Sequence, residues 1–160
     1  MQVPRRSRYV LVVGLFVCSL AVGVAVASAS TPMRTPEHAK IVLHASHYGK
    51  VIFDSNAKVV YMFGADKHGK STCYGVCAKA WPPMLTKHAP RMGMGLKRAL
   101  LGTTTRKNGA LQVTYNHHPL YFYEGDMRGT IMCQHVVMNG GIWLVLNANG
   151  RPIMTKGTGM

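Results

Sequence analysis

The chain predicts a mainly β protein: a single antiparallel β domain made from two pseudo-symmetric hairpin repeats plus one short helix. Three observations lead there. The first is a repeat. Gly49, Asn56, Tyr61, Asp66, Gly69 and Cys73 recur sixty positions later as Gly109, Asn116, Tyr121, Asp126, Gly129 and Cys133. Apolar positions keep the same offset, with Val51 matched by Leu111, Phe53 by Val113, Val60 by Leu120 and Phe63 by Tyr123. A register kept without a gap over this span marks a duplicated structural unit. The second is composition: the arms of each repeat are rich in β-branched and aromatic residues, which fit a pleated, half-buried surface. The third is that no stretch carries a helical apolar stripe long enough to hold a core.

Each element follows from local chemistry. Ser30 to Glu37, with two prolines and little apolar content, reads as a flexible leader. Ile41, Leu43 and Ala45 alternate with other residues and predict a first strand. In the first repeat, Lys50–Asp54 and Val59–Phe63 flank Ser55-Asn56-Ala57-Lys58 as hairpin arms. In the second, Leu111–Tyr115 and Leu120–Tyr123 flank Asn116-His117-His118-Pro119. Pro119 suits the start of an arm, where no ladder donor is needed. Tyr74 to Trp81 predicts a short helix stopped by Pro82-Pro83. His88 to Gly95 reads as a Pro/Gly/Met-rich loop, and Leu96 to Thr105 fits either helix or strand. Ile142–Asn147 predicts a strand, Ala148-Asn149-Gly150 a turn, and Thr155 to Met160 a frayed end.

The first residues predict export. Arg5, Arg6 and Arg8 form a basic region, Tyr9 to Ala27 is apolar, and Ala27-Ser28-Ala29 offers a small-x-small cleavage signal. Residues 1–29 are therefore expected to be a signal peptide cleaved near Ala29. Residues 30–48 form the leader and first strand, and 49–153 the duplicated domain, with units at about 49–73 and 109–133. Residues 154–160 form a tail. Cys18 follows Phe16-Val17 rather than a small residue, which argues against a lipobox. An uncleaved membrane anchor is the competing reading of the same apolar run.

The formal charge is +14, and it falls to about +11 when the three signal arginines leave. The acids are only Glu37, Asp54, Asp66, Glu124 and Asp126. Such a chain concentrates at anionic surfaces, so anionic cell-surface polymers or lipid headgroups are the expected partners, without sequence-specific nucleic-acid binding.

In a strand, Tyr61 and Phe63 share one face, as do Tyr121 and Tyr123, and they predict paired aromatic core ladders. Asp66 and Asp126 each stand three residues before a glycine, the first-position preference of a type I turn. Their expected role is to accept backbone N–H groups rather than to catalyse.

Cys73 and Cys77 are spaced i, i+4, inside disulfide range on one helical turn. The two-residue spacing of redox dithiols is absent, although a thiol redox protein using Cys73 and Cys77 stays an alternative. Cys133 is the odd thiol. Three readings stay open for it: buried and inert, paired between chains, or partner to Cys73. Cys133 with His135, Met132 and Met138 also forms a soft-ligand cluster, so a copper-binding protein is the other alternative. His117-His118, in a hairpin turn, is expected to be exposed. No serine elbow, phosphate loop or carboxylate cluster is present, so an enzyme is not predicted and no cofactor is expected.

Tyr61-Met62-Phe63-Gly64-Ala65-Asp66 and Tyr121-Phe122-Tyr123-Glu124-Gly125-Asp126 both fit Tyr-x-aromatic-x-x-Asp. With Ser71-Thr72-Cys73-Tyr74-Gly75-Val76-Cys77, Trp81-Pro82-Pro83, Arg106-Lys107-Asn108-Gly109 and Gln112-Val113-Thr114-Tyr115, the chain resembles the bacterial secreted-repeat proteins. These are also called predicted lipoproteins with the Tyr-x-(Phe/Trp/Tyr)-x-x-Asp motif. The resemblance runs from about Gly49 to Gly150. It implies export and a shared domain but no assigned biochemical activity. Asn108 stands where that family commonly has Asp, and His117 where it commonly has Gly. The expectation is an exported cell-envelope or extracellular module with a binding or structural role.

Overall fold

The computed structural model describes residues 34–156, all within one unit, Met33–Met160. The signal-peptide reading, the Ala29 cleavage site, Cys18 and the last four residues of the tail lie outside the described residues.

Ten strands, one α-helix and one 3-10 turn follow one another along the described chain. β1 (Lys40–Ser46) and β2 (Gly49–Asp54) form an antiparallel hairpin. β5 (Arg91–Met92) adds to the other edge of β1 in parallel. In the second sheet, β10 (Gly141–Val145) lies between β3 (Tyr61–Phe63) and β9 (Val136–Met138), antiparallel to both. In the third, β7 (Leu111–Tyr115) is paired by β4 (Leu85–Thr86), β6 (Leu101–Thr105) and β8 (His118–Pro119). The helix α1 (Val76–Ala80) is short and ends at Trp81, ahead of the two prolines. Among the described residues the architecture is mainly β, with antiparallel sheets and no barrel.

The strands that carry the repeated motif are buried on both faces. Successive side chains of a strand point to opposite sides, and here each side meets its own apolar cluster. Ile52, Val60, Met62, Leu120, Phe122, Leu144 and Leu146 enter the first cluster. Val51, Phe53, Val59, Tyr61, Phe63, Tyr121, Trp143 and Val145 enter the second. This is why those stretches read as almost unbroken apolar runs rather than as polar–apolar alternation.

Several expectations are corrected. The segment from His88 to Gly95 contains β5, and Leu96 to Thr105 resolves into a 3-10 turn (Arg98–Leu100) and β6. The leader is pinned from Pro36 onward: its carbonyl accepts Lys87 N–H at 3.1 Å, and the Glu37 carbonyl accepts His88 N–H at 2.9 Å. The turn at Asp66 is displaced by one residue. Lys70 N–H bonds the Lys67 carbonyl, and in the second repeat Thr130 N–H bonds Met127. Each glycine thus sits third in its turn, with Gly69 at φ 70° and Gly129 at φ 78°, where a left-handed backbone favours glycine. Asp66 and Asp126 precede these turns instead of opening them.

Candidate functional site

The two copies of the motif meet through their tyrosines. Tyr61 N–H donates to the Tyr121 carbonyl at 2.8 Å, and Tyr121 N–H donates back to Tyr61 at 2.9 Å. This main-chain exchange places each phenol against the other repeat's aspartate. The Tyr121 hydroxyl donates to Asp66 Oδ2 at 2.8 Å. The Tyr61 hydroxyl faces the Asp126 carboxyl and accepts Cys133 N–H at 3.3 Å. Each aspartate also reaches six residues forward: Asp66 Oδ1 accepts Thr72 N–H at 2.7 Å, and Asp126 Oδ1 accepts Met132 N–H at 3.0 Å. As expected, these carboxylates accept backbone N–H groups, but across the turn rather than within it.

Four aromatic rings stack through the centre. Phe63 lies 4.2 Å from Trp143, Trp143 lies 3.8 Å from Trp81 with a 3° interplanar angle, and Trp81 lies 4.7 Å from Tyr123. Tyr61 meets Trp81 edge-on, and Tyr121 meets Trp143 the same way. Both indoles donate to one residue: Trp81 Nε1 to Met138 Sδ at 3.4 Å, and Trp143 Nε1 to the Met138 carbonyl at 3.1 Å. Met138 is therefore the polar terminus of the stack. Trp143 and this use of Met138 were not found by reasoning on the sequence, although the sixty-residue register does lead from Trp81 to the vicinity of Trp143.

Around Asp66 a second network closes. Cys73 and Cys77 form a disulfide with Cα atoms 5.3 Å apart. The buried Arg106 donates to Ser71 Oγ at 2.8 Å, Gln112 Oε1 at 2.6 Å and the Cys73 carbonyl at 2.7 Å. Gln112 passes the network on by donating to the Leu120 carbonyl at 2.8 Å. Nothing in the sequence flagged Arg106 as buried, since a basic residue before an Asn-Gly turn reads as solvated.

Around Asp126 the surroundings differ. Cys133 is a free, buried thiol beside the Tyr123 hydroxyl. Asp126 is 5% exposed, and its Oδ2 has no hydrogen-bond partner. Burial pushes the Asp126 carboxyl above the ordinary carboxylate value. Burial, and then the neighbouring Asp126, raises the Cys133 thiol. A raised thiol holds little thiolate at neutral pH and is a poor nucleophile and metal ligand. Met132 is exposed and His135 is half-buried with a left-handed backbone at φ 62°. Among the described residues, no three His, Cys, Asp or Glu are placed to hold a metal ion.

Residues 43–84 and 102–147 match the model of a family described as a secreted repeat of unknown function. The chain belongs to that family. No curated protein and no solved structure matches it.

In this secreted repeat the charges are segregated. Asp54 and Asp126 are buried and Asp66 is half-buried. Glu37 is held by Lys87 and His88. Glu124 is the exposed acid left without an ion pair among the described residues. Of the lysines and arginines in those residues, Arg106 alone is buried. His117 is exposed as expected, whereas its neighbour His118 is half-buried and burial lowers its ring below the ordinary histidine value. No described helix is long and apolar enough to cross a membrane.

Proposed function

We propose that this secreted repeat is a non-enzymatic binding module of the cell envelope or the extracellular space. It is released by cleavage near Ala29 and associates with anionic polymers or lipid headgroups. One observation carries this reading: every acid but Glu124 is drawn inward or paired, while nearly every cation stays at the surface. The solvent therefore meets a positive field with little internal compensation, which attracts repeated phosphate or carboxylate groups. The motif residues support the reading by what they contact. Tyr61, Phe63, Tyr121 and Tyr123 pack on one another and on the tryptophans, and the two aspartates bind main-chain N–H groups.

The test is retention of the exported protein on an anionic polysaccharide matrix and on vesicles with and without an anionic lipid. Binding is expected to fall steeply between 0.1 and 1 M salt, as the screening length shrinks from about 10 to about 3 Å. Retention indifferent to salt, or equal on neutral vesicles, would sink the proposal. Intact-mass analysis of the same sample reports the expected start at Ser30.

A further inference from the structure

A cavity of about 190 Å³ opens at the edge of the first apolar cluster, between residues 34–40 and the turn after β2. Its floor is apolar: Met84 and Phe122, 3% and 9% exposed, both belong to that cluster. Its rim carries two cations, Arg34 and Lys40, with His38 beside them, all exposed.

The one acid lining it is Asp54, and its carboxylate is already committed to the hairpin turn. Oδ1 accepts Asn56 N–H at 2.9 Å and Lys58 N–H at 2.8 Å, and Oδ2 accepts from Asn56 Nδ2 at 3.2 Å. The wall formed by residues 36–39 is held in place independently of any occupant. Besides the Pro36 and Glu37 carbonyl contacts, Ala39 N–H donates to Thr86 Oγ1 at 3.1 Å. The His38 ring bonds the Ala89 carbonyl at 2.9 Å. An apolar floor beneath a rim where two cations face one carboxylate, whose oxygens are already turned to the hairpin, suits an amphipathic anion. The volume lies below the roughly 300–1,000 Å³ of sites for drug-sized molecules, which restricts the occupant to a small one.

We propose that this cavity binds a small organic carboxylate, with its aryl or short alkyl body on Met84 and Phe122 and its carboxylate between Arg34 and Lys40. The inference rests on the cavity and not on polymer association, and the two are separable. Ser55 is exposed on the cavity's rim, so Ser55→Trp closes the opening without changing the charge.

The experiment titrates the full exported protein, carrying methyl-labelled methionine, with hexanoate and separately with neutral hexanamide. The Met84 methyl signal, assigned through Met84→Leu, is the readout. Hexanoate is expected to move that signal saturably, and hexanamide to bind about tenfold more weakly, as expected for two exposed charge contacts. Arg34→Ala with Lys40→Ala should weaken hexanoate by a similar factor and leave hexanamide unchanged. Ser55→Trp should abolish the hexanoate response while retention on the anionic matrix persists. Equal binding of acid and amide overturns the proposal. So does a hexanoate response that survives Ser55→Trp, or the lack of any saturable shift of the Met84 methyl.

Discussion

Asp66 and Asp126 occupy equivalent places in one repeated pattern, yet they live in different chemical settings. Asp66 accepts the Tyr121 hydroxyl, the Thr72 N–H and the Thr72 hydroxyl, and Arg106 lies close enough to pull against the effect of burial. Asp126 keeps the equivalent forward contact to Met132 but has a buried oxygen without a partner. The first end carries a disulfide, and the second a free thiol. Repetition of the pattern thus repeats the glycine turn and the forward contact of each carboxyl, whereas residues outside the pattern decide how the rest of each carboxyl is satisfied. An unsatisfied buried polar atom costs more than an average hydrogen bond contributes, so the two ends should respond differently to matched changes.

The largest effect is expected at Arg106, the buried cation at the Asp66 end. Arg106→Met leaves the Gln112 side chain and the Cys73 carbonyl without their charged donor, and should cost about 3 kcal/mol in denaturant unfolding. Stability unchanged from the parent would mean that the network is not what distinguishes this end.

Removing the bridge by Cys73→Ser with Cys77→Ser should cost about 2 kcal/mol, because the closed loop is short. Cys133→Ala at the other end should cost less, since no cross-link is lost. If the ranking is reversed, the free thiol is the more important of the two.

The matched pair Tyr121→Phe and Tyr61→Phe sharpens the contrast. Tyr121→Phe leaves Asp66 Oδ2 without its phenol donor, while Ser71 keeps Arg106, and should cost about 1–2 kcal/mol. Tyr61→Phe removes a long acceptor contact to Cys133 N–H and the hydroxyl that faces Asp126, whose Oδ2 already lacks a partner, and is expected to be milder. Equal costs would erase the distinction between the ends.

The smallest effect is a pH slope. In the folded state burial holds the Asp126 carboxyl above its ordinary 3.8. The folded protein therefore keeps that proton to higher pH than the unfolded chain does. The favourable contribution is full below 3.8 and is lost as pH rises through the folded value. Asp126→Asn should remove this decline and match or exceed the parent's stability near neutral pH. A parent whose stability climbs relative to the variant over that interval would mean that Asp126 is well paired as an anion.

Much of the fold was legible because its signals are local. Alternation exposed β1, and Pro82-Pro83 ended α1. The second Asn-containing turn joins β7 to β8, but the first expected hairpin is corrected: β2 pairs with β1 and β3 with β10, and a single Phe53–Val59 bridge spans the Asn56 turn. What escaped depends on contacts distant in sequence. β4 and β5 are two-residue strands defined by backbone pairing to β7 and β1, and no side-chain pattern announces so short a pairing. Gln112 lies between apolar neighbours and would be read as facing solvent, yet it is fully buried because Arg106 and the Leu120 carbonyl satisfy its amide. At the site, the motif tyrosines and aspartates were named from the repeat alone. The exchange of partners between repeats was not, because spacing within one copy carries no information about the other.

That exchange has a consequence for how the molecule is built. Met62 of β3 pairs with Leu144 of β10, Leu85 of β4 pairs with Gln112 of β7, and the tyrosines close their mutual contact across the same divide. Cutting the chain between its two copies would leave each fragment with open strand edges and an indole without its stacking partner. The segment that was copied is therefore not the segment that folds: either copy alone is an incomplete object, and only the tandem is a protein.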